Sequence, residues 1–160
     1  MIGRAILRGA VALAAAALLA PAAMAAPPSK EPLPDLNATG QFCKDFQVEI
    51  HTTANKEVFH LFTSGVGLIT GALKVEVTNL TTDKTLTLNI PGPGKVSADG
   101  STITGGGPWL IFGEAGQLPG PDPGMFFTHG RITLEIGPTG VTSMSVQGTV
   151  EDICAALASA

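Results

Sequence analysis

The sequence predicts an all-β domain: an antiparallel meander of about nine or ten strands that closes, or nearly closes, into a barrel, with a two-sheet sandwich as the alternative. Three observations carry this expectation. The 160-residue chain has 20 Gly, 12 Pro, no Tyr and only 14% charged residues, a composition of short strands and turns that excludes coiled coils and helical bundles. Apolar and polar residues alternate at period two, and hairpins drawn from them close with inward residue facing inward residue. The only two cysteines, Cys43 and Cys154, stand at the two ends of the patterned region.

The chain begins with an address rather than a strand. Arg4 and Arg8 precede an unbroken apolar run from Ala10 to Ala20, and Ala23-Met24-Ala25 offers the small residues that a signal peptidase reads. Residues 1–25 therefore read as a secretory signal peptide cut after Ala25, because a cut one residue later would put Pro27 directly after the scissile bond. An uncleaved membrane anchor is the competing reading. Its apolar part is mostly Ala, which partitions weakly into lipid, and Pro21 breaks it early. Cleavage removes only two charges, both positive, so the formal net charge moves from −4 to −6. Such a chain is expected to be secreted, with no membrane association after cleavage. Nine Lys and Arg spread over the whole length form no patch for phosphates, so nucleic acid is excluded as a partner.

Residues 26–40 hold Pro27, Pro28, Pro32 and Pro34 and read as an extended tether, followed by one domain over 41–154 and a short tail over 155–160. In an oxidising compartment Cys43 pairs with Cys154. A bond across so long a loop is worth about 4.7 kcal/mol on the chain-entropy argument, and it requires Cα atoms within about 7 Å, so the first and last strands should lie side by side. Neither cysteine has an adjacent His to act as a base, which argues against a catalytic thiolate.

Within the domain, Phe46, Val48 and Ile50 alternate with Asp45, Gln47 and Glu49 in a first strand over Lys44–His51. Leu73, Val75 and Val77 should face Ile90, Leu88 and Leu86 across a hairpin. Asp99-Gly100 suits a two-residue type I′ turn that sets Val96 against Ile103. Pro138-Thr139-Gly140 suits a three-residue loop that sets Ile136, Leu134 and Ile132 against Thr142, Met144 and Val146. Less strongly patterned strands are expected over 56–63, over 67–70 running through a Gly71 bulge into Leu73, over 108–112, and over 125–128 running into Arg131.

The chemistry is sparse. Gly92-Pro93-Gly94-Lys95 resembles a phosphate loop only in part: the required Gly and Ser/Thr positions are Asn89 and Val96, which leaves a Pro/Gly turn. There is no Gly-x-Ser-x-Gly elbow. Glu49, His51 and His60 form the one candidate metal group: a turn centred on Ala54-Asn55 puts all three on one face, whereas a turn one residue longer or shorter separates the histidines. Asn37-Ala38-Thr39 and Asn79-Leu80-Thr81 fit the glycosylation sequon. No cofactor is called for.

The long loop Glu114–Gly124 holds Pro119, Pro121 and Pro123, and it is flanked by Trp109, Phe112, Phe126 and Phe127. Loops of this length in a compact β domain are often functional, so these four rings are the expected mouth of a binding surface. Phe42-Cys43-x-x-Phe46, Val77-Thr78-Asn79, Pro91-Gly92-Pro93-Gly94, Asp99-Gly100, Gly107-Pro108-Trp109-Leu110, Gly130-Arg131 and Asp152-x-Cys154 together look like a group of small exported proteins of high-GC Gram-positive, actinobacterial type. The resemblance covers nearly all of the chain after the leader. It implies export, a disulfide and a β fold, and no activity or catalytic residue. The functional expectation is an exported, disulfide-linked, non-enzymatic module that binds a small apolar ligand or a protein partner. The alternative is a small barrel enzyme, a cyclase or isomerase, working on an apolar ligand inside.

Overall fold

The computed structural model describes residues 26–158; the leader assigned to residues 1–25 and the end of the expected tail, residues 159–160, lie outside them. The strands are β1 (Ser29–Pro32), β2 (Ala38–Gly40), β3 (Val48–Asn55), β4 (Val58–Leu61), β5 (Gly67–Thr70), β6 (Leu73–Asn79), β7 (Thr85–Ile90), β8 (Gly94–Val96), β9 (Thr102–Gly113), β10 (Gly124–Gly137) and β11 (Gly140–Asp152), followed by a short helix α1 (Ile153–Ala158). They form a seven-stranded antiparallel sheet, β1-β4-β5-β8-β9-β10-β11, and a four-stranded one, β2-β3-β6-β7. Neither sheet closes on itself. The expected barrel is thus corrected to the two-sheet sandwich.

The register explains how a meander becomes two sheets. The pairs Leu61↔Gly67 and Val58↔Thr70 of β4 and β5 continue without offset into Asn55↔Leu73 of β3 and β6, so residues 48–61 and 67–79 are one long hairpin. It is bent at its middle, where Lys56 N donates to Ala72 O at 2.9 Å. Gly71 makes the bend with φ 111°, and a Cβ there would collide with the Lys56 carbonyl. The next ladder does the same, since Gly67↔Val96 and Leu73↔Ile90 share one register across β5–β8 and β6–β7. Each long strand therefore lies in one sheet before the corner and in the other after it.

The meander then forks. Gly106 N donates to Pro93 O at 3.1 Å, and past this point Pro93 and Pro91 have no N–H with which to extend the ladder. β7 stays with β6 in the small sheet, while β9 departs with β10 and β11. Pro91-Gly92-Pro93-Gly94, expected as a simple turn, is the segment that parts the two sheets.

Several local expectations hold and others shift. The β6–β7 register is as expected, with Val77↔Leu86, Val75↔Leu88 and Leu73↔Ile90. Val96 faces Ile103, but through a four-residue loop in which Gly100 N bonds Ser97 O at 2.9 Å, not a two-residue turn. Asp99 caps this loop: it accepts from Ser97 Oγ at 2.6 Å, Ser101 Oγ at 2.9 Å and Ser101 N at 3.1 Å. These bonds, the Ser97 hydroxyl first, lower its carboxyl to a pKa of about 2. In β10–β11, Leu134↔Met144 and Ile132↔Val146 are as expected, while Ile136 meets Val141 across a bulge and not Thr142. The first strand begins at Val48 rather than Lys44, because residues 41–47 form a loop tied by Gln41 Nε2 to the carbonyls of Cys43, Lys44 and Phe46 at 2.6, 3.2 and 3.2 Å.

Residues 26–40 are more than a tether. β1 pairs with β4 and β2 with β3, with Thr52 N donating to Asn37 Oδ1 at 2.9 Å between them. β1 tolerates Pro32 because it lies on the outer edge of the large sheet. The 155–160 tail is likewise structured in part, since α1 reaches Ala158. Asp152 Oδ1 caps the helix by accepting from Ala155 N at 3.0 Å.

The disulfide forms as expected between Cys43 and Cys154, with Cα atoms 5.5 Å apart. Its setting differs, however, because it joins the 41–47 loop to α1 and not two neighbouring strands. It pins α1, through buried Ile153 and Leu157, onto the end of the inter-sheet core. Asn79 is 1% exposed: its Oδ1 accepts from Thr81 N at 2.8 Å and its Nδ2 donates to Leu157 O at 3.3 Å. The Asn79 sequon is therefore closed to a glycan in the folded chain.

A row of glycines crosses the large sheet. Gly107, Gly130 and Gly148 stand opposite one another on β9, β10 and β11, with φ of 80°, 129° and 154°. A Cβ at Gly130 would strike the Gln147 carbonyl, and one at Gly148 the His129 carbonyl. Met125 and Phe127 face the small sheet, while Ile111, Ile132 and Leu134, with Phe126 beside them, build a second core that Leu118 closes.

Candidate functional site

The residues named from sequence are dispersed by the two-sheet arrangement. Glu49 and His51 are exposed on β3 in the small sheet, while His60 lies on β4 in the large one, its Nε2 2.9 Å from Thr70 Oγ1. The metal group is therefore broken up, because the expected β3–β4 hairpin is a single strand bent across the corner. Among the described residues no group of three His, Cys, Asp or Glu side chains is placed to hold a metal ion.

The four rings do not make a common mouth either. Phe112 packs edge-on against Phe42 at 4.9 Å in the inter-sheet core, and Phe127, 8% exposed, lies in the same core with its ring 4.7 Å from that of His129. Phe126 points to the opposite face and packs, half-buried, in the second core with Leu118. The Glu114–Gly124 loop is fastened over that core: Glu114 N donates to Gln117 Oε1 at 2.8 Å, and Gln117 O accepts from Val141 N at 2.8 Å. The adjacent rings Phe126 and Phe127 do point to opposite faces, as strand geometry requires, but both faces are covered.

Trp109 alone leads to a hollow. In the fork between β7 and β9 lies a half-enclosed cavity of about 150 Å³. Leu73 and Ile90 line it from the small sheet, Ile69, Trp109 and Leu110 from the large one, Leu33 and Leu36 from the N-terminal segment, and Gly92 from the fork itself. The fork makes the space because the Pro91–Pro93 segment separates strands whose side chains would otherwise interdigitate. Three glycines make room for the indole: a Cβ at Gly92 would collide with it, and one at Gly94 or Gly105 would stand 2.6 Å from it.

One polar group lies buried beside this wall and another on it. Trp109 Nε1 is buried and has no hydrogen-bond partner among the described residues. Glu57, on the corner between β3 and β4, is the one ionisable residue lining the cavity, and burial raises its carboxyl pKa above the ordinary value. Its backbone is fixed by Asn55 Oδ1, which accepts from Glu57 N at 2.9 Å, and by Leu33 N, which donates to Glu57 O at 3.0 Å. A larger hollow of about 320 Å³ beside Lys95, Thr104 and Arg131 is a wider, more open depression among exposed side chains. The half-enclosed, largely apolar cavity is the better candidate site.

Sequence reasoning singled out Trp109 but not Glu57, Leu33 or Leu36. Lys56-Glu57-Val58 carries no motif, and its role arises only because the corner turns Glu57 toward the fork. Searches against protein families, curated proteins and solved structures return no match to this chain.

Proposed function

We propose that this chain is an exported, disulfide-pinned binding module that takes up a small apolar molecule in the fork between its sheets. The inter-sheet cavity carries this reading. At about 150 Å³ it has room for a benzene-sized ligand. Export is supported by the leader-like N-terminus, by the bonded Cys43–Cys154 pair and by the resemblance of the turn motifs to small actinobacterial secreted proteins.

The enzymatic alternative draws on Glu57, since a carboxyl whose pKa is raised inside an apolar cavity is a candidate general acid or base. A cyclase or isomerase of that kind would have Glu57 as its one ionisable group among the described cavity residues, so binding is the reading the wall supports better.

A thermal-shift titration tests the proposal. Toluene, added to the oxidised protein, is expected to raise the melting temperature by mass action and to perturb the fluorescence of the single tryptophan. Ile90→Phe, which fills part of the cavity, should abolish both effects. If no apolar probe of this size shifts either signal, the cavity is not a binding site.

A further inference from the structure

We propose that the exposed face of the large sheet carries a second site, separate from the fork, for a small organic oxyanion: Lys95, Arg131 and the Thr104 hydroxyl hold its carboxylate, phosphate or sulfate group, and Leu68 and Pro93 seat an apolar body. This site stands whether or not the fork binds a ligand.

Strand register brings the three polar side chains together. Lys95 on β8 is directly opposite Thr104 on β9, and Arg131 on β10 is opposite Gly106, two residues further along β9. Cross-strand partners share a face, as do residues two apart on one strand, so all four positions open to the same side of the sheet. Thr104 therefore lies between the two cations, opposite one and diagonal to the other, a separation that long side chains span.

The hollow of about 320 Å³ that they line exists because β9 offers no side chain to fill it. Gly106 lies between Arg131 and Pro93, to whose carbonyl its N–H donates at 3.1 Å, and a Cβ at Gly106 would meet nothing within 4 Å. Gly94 and Gly105 line the hollow as bare backbone, because the Trp109 indole occupies their other side, 2.6 Å from where a Cβ would stand.

The two cations are unopposed. Neither Lys95 nor Arg131, the only arginine among the described residues, makes a side-chain hydrogen bond or ion pair with another described residue. No carboxylate lines the hollow. Glu135, further along the same face of β10, is engaged by Thr102 Oγ1, which donates to it at 3.0 Å. An oxyanion answers this arrangement: the guanidinium fork pairs two oxygens, the ammonium supplies a point charge and the hydroxyl a neutral donor. Leu68 and Pro93 add apolar surface beside them, which suits a carbon frame rather than a bare inorganic ion.

Benzoate and benzyl alcohol test this, since they share a frame and differ in charge. Titrated into the oxidised ¹⁵N-labelled protein, benzoate should move the backbone amide resonances of Lys95, Thr104 and Arg131 saturably, and benzyl alcohol should leave them in place. Lys95→Gln and Arg131→Gln should each weaken benzoate roughly two- to fivefold, the range expected of exposed charge pairs. Lys74→Gln, at an exposed position in the small sheet, should leave its affinity unchanged. Ile90→Phe, which fills part of the fork, should also leave it unchanged, so that the two sites fail separately. Inorganic sulfate should move the same resonances only at higher concentration. Equal shifts from benzoate and benzyl alcohol, or an affinity that neither cation substitution lowers, would overturn the oxyanion. Sulfate binding as tightly as benzoate would overturn the apolar seat, and no saturable shift from any probe would overturn the site itself.

Discussion

Glu57 and the paired rings Phe126 and Phe127 make the cavity and the cores separately testable. Because burial raises the folded-state pKa of Glu57, ionising it costs more in the folded chain than in the unfolded one. The penalty is absent below the ordinary value of 4.5, grows as pH rises, and is complete above the folded value. Glu57→Gln should therefore leave stability at pH 4 nearly unchanged and raise it at neutral pH, flattening the fall in melting temperature between them. A steeper fall in the variant would show that the carboxyl is not desolvated. Phe127→Ala empties a place in the inter-sheet core and should cost about 3 to 5 kcal/mol in denaturant titration. Phe126→Ala, at a half-buried position under Leu118, should cost roughly half of that. Equal losses would mean that the second core is packed as fully as the first.

Hairpins were legible because their information is local: Val75 and Leu88, or Leu134 and Met144, are set opposite by alternation and a short turn between them. The corners were not, since Gly71 reads as a bulge and a crossing alike until the second sheet is present to receive Leu73. The same holds for Pro91-Gly92-Pro93-Gly94, whose composition suits a turn as well as a fork; only the departure of β9 distinguishes them. The candidate site was legible in one residue, Trp109, because its other walls come from segments far apart in the chain. The glycine row across β9, β10 and β11 is testable at this level. Gly130→Ala places a methyl against the Gln147 carbonyl at a φ of 129°, and should cost about 2 kcal/mol or more by thermal unfolding. Gly106→Ala, where a Cβ meets nothing within 4 Å and no positive φ is required, should cost much less.

For the whole molecule the Cys43–Cys154 bond governs how far α1 and the 41–47 loop hold the open end of the sandwich. Cys43→Ala with Cys154→Ala should lower stability by about 2 to 5 kcal/mol, read as a shift of the denaturation midpoint. The oxidised monomer should gain two mass units on reduction. If the proposed export holds, N-terminal sequencing of culture supernatant should find a product that starts at Ala26, and its absence there would count against export. The bond also encloses most of the fold: β3 to β11, the second core and most of the inter-sheet core and the cavity wall lie on the arc between the cysteines. The oxidised chain is thus a covalent ring with an arm at each end, and a protease that nicks the Glu114–Gly124 loop leaves one linked molecule rather than two fragments. Such a nick need not release β10, β11 or α1, so a clipped protein can keep its fold and its ligand where a linear chain would come apart.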